Sequence, residues 1–142
     1  MNRRKGTYVL FLTFSAPRTL DVGALGTVHL DAGMYCYVGS AMNGLDQRVG
    51  RHLSRDKKIR WHIDRLTLSA DLVEAAESYP DCIPECELAR IAVLSGCLPA
   101  VKGFGCSDCR CLTHLFWMPP GSRDNLLENA NLKLWQVNSA TH

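Results

Sequence analysis

Residues 7–14 read Thr-Tyr-Val-Leu-Phe-Leu-Thr-Phe, apolar or β-branched throughout, and the run stops at Ser15-Ala16-Pro17. It has the length of a strand and falls far short of the ~18 consecutive apolar residues of a membrane helix. It alternates too weakly for a strand with one wet face, so the expectation is a fully buried strand, ended by a proline that cannot continue a central ladder. A chain of 142 residues is long enough to build one core around such a strand and too short for two. The preceding Asn2-Arg3-Arg4-Lys5 imitates the charged start of a signal peptide, but no small-x-small cleavage site follows the apolar run. The chain therefore reads as soluble and cytoplasmic.

Turn residues and periodicity divide the rest. Residues 23–26 are turn-like, and 27–30 and 34–38 read as two strands of a hairpin around Asp31-Ala32-Gly33. Leu45, Val49 and Leu53 recur every four positions on one helix face, and Arg48 and His52 share the face beside it. Ile59, Ile63 and Leu66 predict a second short helix, and 73–78 a strand. Pro84 and Gly96 frame a helix over 85–95 with Leu88, Ile91 and Ala92 facing inward. A strand is expected over 112–118, stopped by Pro119-Pro120-Gly121, then a helix over 126–134 and a loose tail from 137. The domain is thus expected to span 1–136.

Net charge is only +2, but it is unevenly placed. Residues 46–65 hold seven cations (Arg48, Arg51, Arg55, Lys57, Lys58, Arg60, Arg65) against three aspartates, whereas 71–87 hold six carboxylates and no Lys or Arg. A basic segment of this kind can bind phosphates even in a nearly neutral chain. Arg51, Arg55, Lys57, Lys58 and Arg60 are the candidate nucleic-acid contacts. Seven cysteines are an odd number in a chain large enough to stand without staples, so free thiols are expected. Cys106-x-x-Cys109-x-Cys111-x-x-His114 invites a zinc reading. Strand alternation through 109–116 would put His114 on the face opposite Cys109 and Cys111, so structural zinc is not expected.

Two tyrosines carry the chemical interest: Gly6-Thr7-Tyr8 on the first strand and Tyr37-Val38-Gly39 on a later one. If those strands are neighbours, two phenols lie side by side at the sheet's edge near the helix of Arg48 and His52. The ordered set Tyr8, Tyr37-Val38-Gly39-Ser40-Ala41, Asn43, Arg48 and His52 resembles the signature of the GIY-YIG nuclease superfamily, including the nuclease domains of excision-repair proteins. Arg60-Trp61-His62-Ile63-Asp64, Glu85-Cys86, and Phe104-Gly105-Cys106-Ser107-Asp108-Cys109 with Cys111 and His114-Leu115 resemble its Uri-type branch. The likeness covers roughly 6–116. The chain departs from the pattern in the 28 residues between Tyr8 and Tyr37, a longer connection than many members have, and in lacking an evident asparagine near Ser107 or Asp108.

The resemblance implies an α+β domain with a small central, largely antiparallel sheet flanked by helices and a C-terminal strand extension. It also implies a metal-dependent endonuclease that hydrolyses DNA with a tyrosine-assisted water. Tyr8, Tyr37, Arg48, His52 and Glu85 would be catalytic, with Glu85 holding Mg²⁺ (or Mn²⁺) and Glu87 its rival. Chemistry agrees: phosphodiester hydrolysis needs positive charge where oxygens turn anionic, and Arg48 offers a planar fork for the non-bridging oxygens. A phenol of pKa ~10 is about 0.1% ionised at pH 7, so either tyrosine must be acidified to serve as base. A non-catalytic nucleic-acid-binding module and a zinc-stabilised interaction domain are the alternatives.

Overall fold

The apolar run forms β1 (Gly6–Phe14), in which only Thr13 is not buried. In the computed structural model, which describes residues 4–106 and 111–135, this strand lies inside a six-stranded sheet. The other strands of that sheet are β4 (Gly33–Ala41), β5 (Leu72–Ser78), β6 (Leu98–Pro99), β7 (Leu115–Met118) and β8 (Lys133–Leu134). The order is β6-β7-β4-β1-β5-β8 and every pairing is antiparallel. Two short strands, β2 (Arg18–Asp21) and β3 (Thr27–Leu30), pair with each other in a separate ribbon.

Alternation along β1 assigns its side chains to two layers. Tyr8, Leu10, Leu12 and Phe14 face α1 (Leu45–Leu53) and α2 (His62–Ser69), where they meet Leu45, Val49, Ile63 and Leu66. Val9 and Phe11 face α3 (Glu85–Leu94) and α4 (Ser122–Asn129) and pack with Leu88, Ala89, Ala92 and Leu126. A side chain such as Phe11, fully buried, contributes about 1.5–3 kcal/mol by leaving water. Cover on both faces is why this strand carries no polar stripe.

Four elements differ from the sequence expectation. The hairpin around residues 31–33 does not form as a pair: β3 joins β2, and β4 joins β1. β3 buries only alternate residues and β2 half-buries alternate ones, so the two suit each other, whereas Cys36 and Val38 of β4 are buried and demand a covered neighbour. Ile59 is half exposed and precedes α2. The strand over 112–118 begins only at Leu115, because Thr113 Oγ1 accepts the N–H of Leu115 at 3.0 Å and the N–H of His114 turns to the carbonyl of Phe104 at 2.8 Å. The expected helix over 126–134 starts four residues earlier and stops at Asn129. Asn131 then adopts a left-handed φ of 51°, and β8 returns to pair with β5. The tail from 137 lies outside the described residues. Among them, no helix is long and apolar enough to cross a membrane.

Candidate functional site

Strands β1 and β4 are neighbours, but they are the central pair and not the edge. Tyr8 stands opposite Gly39 in the register, and Tyr37 lies two residues before Gly39 on the same face. The Tyr8 ring fills the space a side chain at 39 would need: a Cβ there would sit 2.5 Å from Tyr8 Cζ and Oη. A bare backbone at 39 thus permits the phenol to lie across β4. From α1, buried His52 places Nε2 2.7 Å from Tyr8 Oη, and its ring centroid is 6.4 Å from that of Tyr37. Gly105, at a φ of 76° that disfavours other residues, brings its backbone against Tyr37.

Burial dominates the electrostatics. It pushes the Tyr8 phenol well above its ordinary value, with Tyr37 adding to the rise and Arg48 opposing it by charge and hydrogen bond. Burial, reinforced by the charge of Glu85, pushes Tyr37 up to about 12 against the pull of Arg48. The same loss of water, with Lys57 beside it, pushes His52 down to about 3. At neutral pH the trio is uncharged. His52 Nδ1 is buried with no hydrogen-bond partner among the described residues. An orphaned N–H costs more than an orphaned lone pair, so the proton belongs on Nε2. Nε2 then donates to Tyr8 Oη, and the phenolic proton is left to point elsewhere.

Arg48, one turn before His52, donates to the Ser40 carbonyl at 3.3 Å and lies 4.6 Å from the centre of the Trp61 ring. Trp61 also meets Arg51 at 4.3 Å and Arg60 at 5.9 Å, so one indole carries three guanidinium contacts. Tyr8, Tyr37, Arg48, His52, Arg60 and Trp61 line one open cleft of about 400 Å³. Sequence reasoning gave Trp61 no role; its place within a run of cations was the available signal, since aromatics interleaved with bases suit nucleic acid.

The five basic candidates separate. Arg51 forks onto both oxygens of buried Asp64 at 2.7 and 2.9 Å, and Asp64 also accepts from the N–H groups of Arg60 and Trp61 at the start of α2. Burial alone would raise that carboxyl, but Arg51 and the two N–H groups outweigh it and pull it down to about 2. Arg55 donates to the carbonyls of Thr67, Leu68 and Ala70 that end α2. Lys57 is tied to the carbonyls of Arg51 and His52 and to Thr67 Oγ1. These three join α1 to α2. Lys58 and Arg60 are exposed.

Glu85 opens α3 on the opposite layer and reaches the same end of the sheet. Ser40 Oγ lies 3.4 Å from one of its oxygens and His114 Nδ1 3.4 Å from the other. Its charge acts on both Tyr37 and Tyr8. Glu87 points away and pairs with Arg90 at 2.6 Å on the surface. A part-exposed hard carboxylate whose charge acts on both phenols fits the donor chemistry of Mg²⁺, which takes one or two carboxylates and fills its shell from substrate and water.

Sequence alternation separated His114 from Cys111, but β7 begins after both and the separation does not hold. Cys86 on α3, Cys111 and His114 have one donor atom each within 4.8 Å of one another. Cys109, Ser107 and Asp108 lie outside the described residues. None of the six described cysteines forms a disulfide.

The chain belongs to the family described as domain of unknown function DUF123, whose model matches residues 7–136. No curated protein and no solved structure matches it.

Proposed function

Within a family whose description carries no activity, we propose that this member is a metal-dependent endonuclease of the GIY-YIG type acting on DNA. The observation that carries the reading is the contact of Tyr8 Oη with His52 Nε2 at 2.7 Å, in the cleft that Tyr37 and Arg48 also line. Four residue types in the order of that superfamily's signature meet in one place, and the charge of a fifth, Glu85, acts on both phenols from the other layer.

His52, held neutral, fixes the Tyr8 phenol by donating to its oxygen and leaves the phenolic proton directed to an incoming group. Arg48 offers its fork to the non-bridging oxygens, with Trp61 stacked against it to limit its freedom. Tyr37 stands beside Tyr8 as the second phenol able to orient the attacking water. Glu85, and not the surface-paired Glu87, would hold Mg²⁺. When bound, that ion supplies positive charge that acidifies the phenols and offsets charge on the phosphate and leaving oxygens. Burial keeps both phenols protonated at neutral pH.

The test is a panel of end-labelled single-stranded, duplex, flap and junction DNAs incubated with the full chain and Mg²⁺. Cleavage of at least one substrate, lost in EDTA and in Tyr8→Phe, is expected. No cleavage of any substrate, with salt-sensitive binding retained, would leave the protein a non-catalytic nucleic-acid-binding module.

A further inference from the structure

We infer that Cys86, Cys111 and His114 form a binding site for a thiophilic divalent cation, Zn²⁺ in ordinary conditions, which clips the start of α3 to the segment entering β7. The three donor atoms lie within 4.8 Å of one another. Ligands on a tetrahedral zinc stand about 3.8 Å apart, given Zn–S bonds of ~2.3 Å. The side chains need to close by roughly an ångström, which rotation about the Cys86 and Cys111 side-chain bonds supplies. Two thiolates and an imidazole are soft and borderline donors that select zinc over Mg²⁺ or Ca²⁺. On binding, the two thiols release their protons to solvent as the two Zn–S bonds form.

The surroundings suit a structural ion. Cys86 is exposed, Cys111 half-buried and His114 buried, so the ion has an entry path on one side and a fixed ligand on the other. His114 is held by backbone on both sides: its N–H donates to the Phe104 carbonyl at 2.8 Å and its carbonyl accepts from Val38 at 2.9 Å. Glu85 Oε1 stands 3.4 Å from its Nδ1, so a carboxylate lies beside the ring. Among the described residues, three protein ligands are at hand. The clip would hold Cys86, and with it the neighbouring Glu85, against the segment that buries Tyr37. The inference stands whether or not the cleft cuts DNA.

The experiment uses the full chain, stripped with chelator under reductant and titrated with Co²⁺ and then Zn²⁺. One equivalent of Co²⁺ should bind with intense near-ultraviolet thiolate charge-transfer absorption, displaced by Zn²⁺, and Zn²⁺ should raise Tm. Cys86→Ser, on an exposed helix surface where folding is retained, should weaken Zn²⁺ more than a hundredfold, beyond the upper range for disturbing an outer-shell partner. Cys111→Ser should lower the charge-transfer absorption, which the Cys86→Ser Cys111→Ser double variant should lose, and Cys82→Ser, exposed and outside the cluster, should bind as the wild type does. Absence of thiolate bands, bands that persist in the Cys86→Ser Cys111→Ser double variant, or a Cys86–Cys111 disulfide that excludes metal would each overturn the inference.

Discussion

The two faces of the sheet are built from alternate residues of the same strands and differ in what they tolerate. Val9, Phe11, Cys36 and Val38 turn to α3 and α4 and meet an apolar layer. Tyr8, Leu10, Tyr35 and Tyr37 turn to α1 and α2, where the apolar layer is interrupted at one end by buried His52, Thr67 and Asp64. On the first face packing dominates, and buried Ser95 and Ser122 donate to backbone carbonyls. On the second, polar groups are kept from water, with Asp64 held by four hydrogen bonds and His52 by its contact with Tyr8; burying them costs stability and makes sense where a site must be preorganised. The cations of 48–65 repeat the contrast: Arg51, Arg55 and Lys57 bind the chain itself, while Arg48 and Arg60 line the cleft.

The contrast predicts opposite phenotypes. Phe11→Ala on the packed face should lower unfolding free energy by about 3–5 kcal/mol, with the cleavage rate per folded molecule unchanged; a rate loss exceeding the folded-fraction loss would show the faces to be coupled. Arg48→Ala and Glu85→Gln should do the reverse, cutting the Mg²⁺-dependent rate by about 10²–10³ with the circular dichroism intact. Glu87→Gln, with its carboxylate paired to Arg90, should cleave normally, and single-turnover rates that fall for Glu87→Gln and not for Glu85→Gln would reassign the metal ligand.

Gly39→Ala sharpens the comparison at one atom. Its Cβ would overlap Tyr8, and overpacking of this kind costs about 1–3 kcal/mol. In a Tyr8→Ala background the same change should be nearly free, and equal destabilisation in both backgrounds would mean that the ring is not the obstacle. Acid should reveal the buried histidine. With a folded pKa near 3 against an unfolded value near 6.5, His52 favours folding fully above pH 6.5 and progressively less as pH falls toward 3. The loss between pH 7 and pH 5 is about 2 kcal/mol. Urea midpoints should show it in the wild type and not in His52→Gln; an identical acid loss in both would place the titrating group elsewhere. The smallest effect concerns the cations: Lys58→Ala and Arg60→Ala should each reduce the salt slope of DNA binding by about 1. Arg55→Ala should lower Tm and leave the slope alone, and a changed slope for Arg55→Ala would return it to the interface.

Much of this was written in residue order. The buried central strand follows from an apolar run with no polar stripe, and α1 from Leu45, Val49 and Leu53, because both depend on periodicities that a chain carries locally. Arg48 and His52 share a face of α1 for the same reason, one turn apart. Tertiary structure decided what depends on neighbours distant in sequence. Which strand β4 pairs with was settled by the cover its apolar residues require, and local turn chemistry pointed to the wrong partner. Which cations stay available was settled by Asp64 and the carbonyls ending α2, since a positive charge in sequence does not disclose whether an acceptor will meet it. Both phenols became harder to ionise and His52 harder to protonate because solvation is a property of the folded surroundings and not of the residue. Cys86 came to Cys111 and His114 for the same kind of reason: helix α3 and strand β7 share one apolar cluster, built from residues other than these three.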